Sequence, residues 1–166
     1  MGSEMCIRDS ALGSGAVFTT GAGDIELRGQ TRVGQAAVSL GSGMVGSFAG
    51  NTLLNALRGS VNLGSGRLGS DLSRLTTSSG NITILADELV ASSSSVLRSS
   101  GNLVVEPNGN DFLNGFNWAV SQSAGVLASA RFGKATTPSI ANARALYFQS
   151  TISAVGNVDF YGGLLD

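Results

Sequence analysis

Cleaving a sugar chain needs at least two carboxylates held close on one face, often with Ca²⁺, Lys or Arg beside them. From Gly13 onward the acids are Asp24, Glu26, Asp71, Asp87, Glu88, Glu106, Asp111, Asp159 and Asp166. Only Asp87 and Glu88 are adjacent, and neighbours along a strand point to opposite faces. In a fold that repeats every ~21–23 residues, Asp87 would approach residues 106–111 across two laps. The other reading of these acids is a set of solvated corners. The chain has no His and one Cys, Cys6. That removes imidazole metal ligation, a His-based triad and a disulfide framework.

Two strings, Gly41-Ser42-Gly43-Met44-Val45-Gly46 and Gly64-Ser65-Gly66-Arg67-Leu68-Gly69, match G-x-G-x-x-G by letter. A dinucleotide site also needs a following helix and an acid after the next strand, so these read as turn glycines. Gly21-Ala22-Gly23-Asp24 is the nearest string to a calcium-binding nonapeptide and occurs once, whereas such sites are tandem. Arg131 and Lys134 flank Gly133 and would suit an anion, or are ordinary surface charges. Phe112, Phe116 and Trp118 would form a platform for sugars if exposed, or pack as core. No catalytic, cofactor-binding or metal-ligating residue is assigned. The chain reads as a non-enzyme without a cofactor.

What must position any of these side chains is a recurring phrase: Gly, a small polar residue, then an apolar-polar-apolar triplet. The copies are Gly23-Asp24-Ile25-Glu26-Leu27, Gly59-Ser60-Val61-Asn62-Leu63, Gly80-Asn81-Ile82-Thr83-Ile84, Gly101-Asn102-Leu103-Val104-Val105 and Gly156-Asn157-Val158-Asp159-Phe160, with a looser one at Ala37-Val38-Ser39-Leu40. Val38 to Val61 is 23 residues, and Val61 to Ile82 and Ile82 to Leu103 are 21 each. A turn and strand at this period predict an all-β fold, a right-handed parallel β-helix of about seven coils, roughly 30–35 Å long. Ile25, Val61, Ile82 and Leu103 are expected in one interior column, with Glu26 and Thr83 facing out. Asn81, Asn102 and Asn157 would stack their amides from coil to coil.

Two stretches fit less well. Thr52–Arg58 has apolar residues at helix-like spacing, or is a strand and corner in another register. Residues 111–132 lose the triplet and predict a longer excursion. Strands resume near Val126-Leu127 and Leu146-Tyr147-Phe148, with breaks at Pro107 and Pro138.

The 166 residues suit one domain. Charged residues are 13% and the net charge is −1, which gives no electrostatic hold on nucleic acid or anionic lipid. No run approaches the ~18 apolar residues of a membrane span. Residues 1–12 are set apart as disordered or artefactual, because Met5-Cys6-Ile7-Arg8-Asp9-Ser10 resembles translated sequencing-adapter read-through. The repeat region is 13–166.

Four phrases, in order, carry a family resemblance. Gly80-Asn81-Ile82-Thr83-Ile84-Leu85-Ala86-Asp87-Glu88-Leu89 is similar to the G-N-I-T-L-x-A-D-x-[IL] phrase of filamentous-haemagglutinin-like adhesins. Ser100-Gly101-Asn102-Leu103-Val104-Val105-Glu106-Pro107, Phe132-Gly133-Lys134-Ala135-Thr136 and Val155-Gly156-Asn157-Val158-Asp159-Phe160-Tyr161-Gly162-Gly163 resemble three further phrases of that family. The resemblance covers roughly residues 20–166. It implies a β-helix shaft segment of a large secreted bacterial surface protein, exported by two-partner secretion through an outer-membrane barrel transporter. It implies an extracellular, cell-surface location on a Gram-negative-type bacterium. It also implies roles in cell adhesion and biofilm, with host or neighbouring-cell glycans or proteins as partners. Pro107-Asn108-Gly109 does not match the family's Asn-Pro-Asn secretion motif, so a fragment of the shaft is expected. The alternatives are a carbohydrate-active β-helix enzyme, a phage-type fibre segment or a β-sandwich binding module, the last with antiparallel strands.

Overall fold

The computed structural model describes residues 5–8, 10–11, 13–19, 21–31, 36–69, 79–113, 115–135 and 145–162. Among them the chain winds as a parallel β-solenoid, without a helix. The first lap holds β1 (Met5–Arg8), β2 (Ser10–Ala11) and β3 (Ala16–Thr19), and the second β4 (Ile25–Gln30), β5 (Ala36–Ser39) and β6 (Met44–Ser47). The third holds β7 (Thr52–Arg58), β8 (Ser60–Gly64) and β9 (Arg67–Gly69), and the fourth β10 (Ile82–Leu85), β11 (Glu88–Ala91) and β12 (Val96–Arg98). The fifth holds β13 (Asn102–Glu106), β14 (Gly115–Trp118) and β15 (Ser121–Ala124). Then come β16 (Ser129–Phe132), β17 (Leu146–Phe148) and β18 (Val158–Phe160).

Three sheets result. Sheet A runs β1-β4-β7-β10-β13-β16-β18, sheet B runs β2-β5-β8-β11-β14-β17, and sheet C runs β3-β6-β9-β12-β15. All named pairings are parallel, which excludes the antiparallel sandwich. Five laps contribute to all three sheets, fewer complete turns than the roughly seven expected. β1 pairs with β4, Met5 opposite Ile25.

Alternation along each strand puts every second side chain inside. On sheet A one interior column reads Ile25, Thr52, Ile82, Leu103, Ala130, Val158, and its neighbour Leu27, Leu54, Ile84, Val105, Phe132, Phe160. On sheet B the column is Val38, Val61, Leu89, Phe116, Leu146. On sheet C, Val17, Val45, Leu68 and Leu97 align. These residues are buried except Val158, which is partly buried, and Phe160, which is 38% exposed, and each fully buried aliphatic contributes about 1.5–3 kcal/mol.

The register differs from the expected one at Val61. It belongs to sheet B, and its place beside Ile82 is taken by Thr52. The 23-residue step from Val38 to Val61 is real, as is the 21-residue step from Ile82 to Leu103, but they lie on different sheets. On sheet A the steps are 27 from Ile25 to Thr52, 30 from Thr52 to Ile82, 27 from Leu103 to Ala130 and 28 from Ala130 to Val158. The corners absorb the difference: only Ala86 and Asp87 separate β10 from β11, whereas residues 107–114 separate β13 from β14.

Thr52–Arg58 is therefore a strand, and its helix-like spacing comes from a bulge: Ala56 pairs with Gly29 and Arg58 with Gln30, so Leu57 is the extra residue and turns outward. Thr52 is tolerated inside because its Oγ1 accepts from the Ser47 amide at 3.1 Å. The excursion expected over residues 111–132 is absent. β14 and β15 continue sheets B and C; pairing resumes near Val126-Leu127 as expected, with a parallel bridge from Leu127 to Ala154 and then β16 on sheet A from Ser129. Leu146–Phe148 is a strand, as expected. Pro138 lies outside the described residues.

Corners explain the composition. At Gly80, which opens sheet A in the fourth lap, a Cβ would sit 1.6 Å from the Gly50 carbonyl oxygen, so glycine lets successive corners stack. Buried Ser47 donates to the Gly23 carbonyl (2.7 Å) and accepts from the Gly50 amide (2.9 Å). Ser99 repeats that acceptance from the Gly101 amide (3.1 Å). Between sheets B and C, Ser65 donates to the Gly41 carbonyl, and Ser92 and Ser95 to that of Gly64. Hydroxyls thus satisfy corner carbonyls that charged side chains could not reach without being buried.

Candidate functional site

Sheet A carries a continuous polar ladder on its outer side, at the corner where each lap enters it. The Asn51 amide donates to Asp24 Oδ1 (2.6 Å), and Asn81 Nδ2 donates to Asn51 Oδ1 (3.0 Å). Asn102 Nδ2 and its backbone amide both donate to Asn81 Oδ1 (2.9 and 3.1 Å), and Ser129 Oγ donates to Asn102 Oδ1 (2.8 Å). The expected amide stack is present at Asn81 and Asn102. Asn157, the next member, joins through its backbone, whose carbonyl accepts from the Ala130 amide at 3.0 Å.

Beside this ladder the outward positions are Glu26, Leu53, Thr83, Val104, Arg131 and Asp159, aligned by strand register. From the fourth lap on, the face forms a groove of about 410 Å³ lined by Asn81, Thr83, Asn102, Val104, Ser129, Ala130, Arg131 and Asp159. Arg131 donates to Glu106 Oε1 (2.5 Å), the outward residue two positions beyond Val104 on the strand below. Glu26 is paired within its own strand, with Arg28.

The structure separates the acids considered above. Asp87 is buried at the A–B corner, where its Oδ2 accepts from the Gly59 amide (3.1 Å) and its Oδ1 from Asn108 Nδ2 (3.3 Å). The same Asn108 nitrogen donates to the Ala56 carbonyl (2.5 Å), so this carboxylate clasps three laps. Glu106 holds Arg131, and Asp111 Oδ1 accepts from the Phe112 amide (2.9 Å). Asp24 is the foot of the ladder. Asp71 and Asp166 lie outside the described residues. Among the described residues no three His, Cys, Asp or Glu are grouped to hold a metal ion.

The other candidates resolve as architecture. Trp118 and Phe112 are 1% exposed and Phe116 2%, so the aromatic triad is core and offers no platform. Gly41 and Gly64 turn the B–C corner at φ of 59° and 53°, and no helix follows either string. Arg131 is committed to Glu106, while Lys134 is half-buried beyond Gly133. No helix among the described residues is long and apolar enough to cross a membrane.

Residue-level reading missed Ser129, Arg131 and Asp159 as members of one face. The signal was faint: Ala128-Ser129-Ala130-Arg131-Phe132 has the alternation of the repeat but neither its Gly nor its Asn. Comparison with known protein families, with characterised proteins and with solved structures gives no match to this chain.

Proposed function

We propose that this chain is a structural and adhesive shaft segment of a large secreted bacterial surface protein of the filamentous-haemagglutinin-like kind. The family resemblance supplies the setting: two-partner secretion through an outer-membrane barrel, and display outside the cell for adhesion or biofilm. One structural observation supports the mechanical part of the reading. Every lap stacks its interior on the same columns, from Leu27 through Leu54, Ile84 and Val105 to Phe132. In such a fold each added lap repeats the contacts of the last, so reach and stiffness are what the sequence encodes. Charged residues are 13% of the chain and the net charge is −1, so the outer faces carry no strong field.

The test is the flanking DNA. The reading expects an open reading frame that continues the same repeat, carries a secretion module and lies beside a barrel-transporter gene. A frame that runs into phage structural genes, or into a domain with a close carboxylate pair, overturns it.

A further inference from the structure

The outer face of sheet A changes along the rod. In the second and third laps its outward residues are Glu26 and Leu53, beside Asp24 and Asn51. From the fourth lap they are Thr83, Val104, Arg131 and Asp159, beside Asn81, Asn102 and Ser129, and there the face is concave. The geometry points to this groove as a binding site for a neutral, linear polysaccharide lying along the rod axis. The inference names a ligand class for the proposed shaft, and it rests on that reading for its biological setting only.

Four features argue for this chemistry. First, the lining mixes donors and acceptors: two amides, two hydroxyls, a guanidinium and a carboxylate. A polyol needs that mixture, because each of its hydroxyls both donates and accepts. Second, there is no surplus of positive charge. Arg131 is answered by Glu106, and Asp159 adds a negative group, so a polyanion would be repelled rather than held. Third, the site is pre-ordered. Ser129 Oγ gives its hydrogen to Asn102, which leaves its lone pairs for a ligand. Asn102 Nδ2 uses one hydrogen on Asn81 and keeps a second. Asp159 accepts from no side chain among the described residues, so its two oxygens suit a vicinal diol. Side chains already fixed by the ladder lose little entropy on binding. Fourth, the lining residues are spread over successive parallel strands ~4.8 Å apart, one or two polar groups to a lap, a rise close to the length of one sugar ring. A chain of linked rings then meets one lap per ring.

The test uses the whole chain in biolayer interferometry on immobilised dextran, galactomannan and a cellulose ether, with heparin as the polyanion comparator. Binding to at least one neutral polysaccharide, insensitive to added salt, is expected. Asp159→Asn, which keeps the side-chain shape, weakens it about tenfold or more, the size of one lost charged hydrogen bond. Ser129→Trp, which fills the groove, abolishes it, and Glu26→Gln, on an earlier lap, leaves it unchanged. Circular dichroism checks that each variant keeps its strands; if Ser129→Trp does not, Asp159→Asn decides alone. The inference is overturned by no binding to any neutral polysaccharide, by equal binding in Asp159→Asn, or by salt-sensitive binding to heparin alone. Any of those results leaves the flanking-DNA test of the shaft standing. A frame without a secretion module would in turn overturn the shaft and leave the groove measurable.

Discussion

The second and third laps have an aliphatic interior, whereas the fifth and later ones are packed with rings. In the early laps Leu27 lies on Leu54, Val38 on Val61 and Val45 on Leu68. Later the same columns hold Phe132 and Phe160 on sheet A, and Phe116 on sheet B next to Trp118. Phe132 is the hub, with ring centroids 5.9 Å from Phe116, 5.2 Å from Trp118, 4.9 Å from Phe148 and 5.6 Å from Phe160. Its strand compensates: Ala130 stands where the column below has Leu103. The backbone asks each lap for a filled volume, not for a particular residue. An aliphatic lap fills it by stacking; an aromatic lap fills it by interlocking rings across sheets.

That contrast predicts a gradient of sensitivity, read as ΔG by urea denaturation. Phe132→Ala removes contacts to rings on both sheets A and B and is expected to cost about 3–5 kcal/mol. Leu54→Ala, in the aliphatic half, is expected to cost about 2–4 kcal/mol, because flanking Leu27 and Ile84 can settle into the gap. A Leu54→Ala loss larger than that of Phe132→Ala would break the comparison.

Two smaller effects sharpen it at the corners and the outer face. Gly80→Ala forces a Cβ against the Gly50 carbonyl and lowers the midpoint. Gly109→Ala meets open space and is expected to be neutral or to stabilise by about 0.4–1 kcal/mol through the unfolded state. Asn102→Ala removes two ladder hydrogen bonds at an exposed position, leaving its backbone amide bond in place. Its expected loss is about 1 kcal/mol, a figure that net hydrogen-bond contributions set.

Fold class was legible because alternation and corner glycines recur. Gly80-Asn81-Ile82 and Gly101-Asn102-Leu103 do stack in adjacent laps of sheet A. Register was less legible, for two physical reasons. Gly59-Ser60-Val61 enters sheet B with the same phrase that opens sheet A, because both corners need a tight bend followed by a half-buried strand. Gly50-Asn51-Thr52 hides its membership behind a hydroxyl that is satisfied only by Ser47, a partner no local pattern shows. The triad Phe112, Phe116, Trp118 broke the expected triplet because rings replaced aliphatics, not because the chain left the rod. Of the candidate site, the amides were visible and the groove was not. Which outward residues face one another depends on lap lengths that vary from 20 to 30 residues on sheet A.

The most direct measurement is paired-cysteine cross-linking in a Cys6→Ser background. Parallel neighbours ~4.8 Å apart lie within the Cα separation that a disulfide spans. The stacking described here places Thr83 beside Leu53, so Leu53→Cys with Thr83→Cys closes rapidly under mild oxidation. Asn62→Cys with Thr83→Cys, the pair a uniform 21-residue period would join, stays reduced. Closure of the second pair and not the first would contradict the winding on which both the shaft and the groove depend.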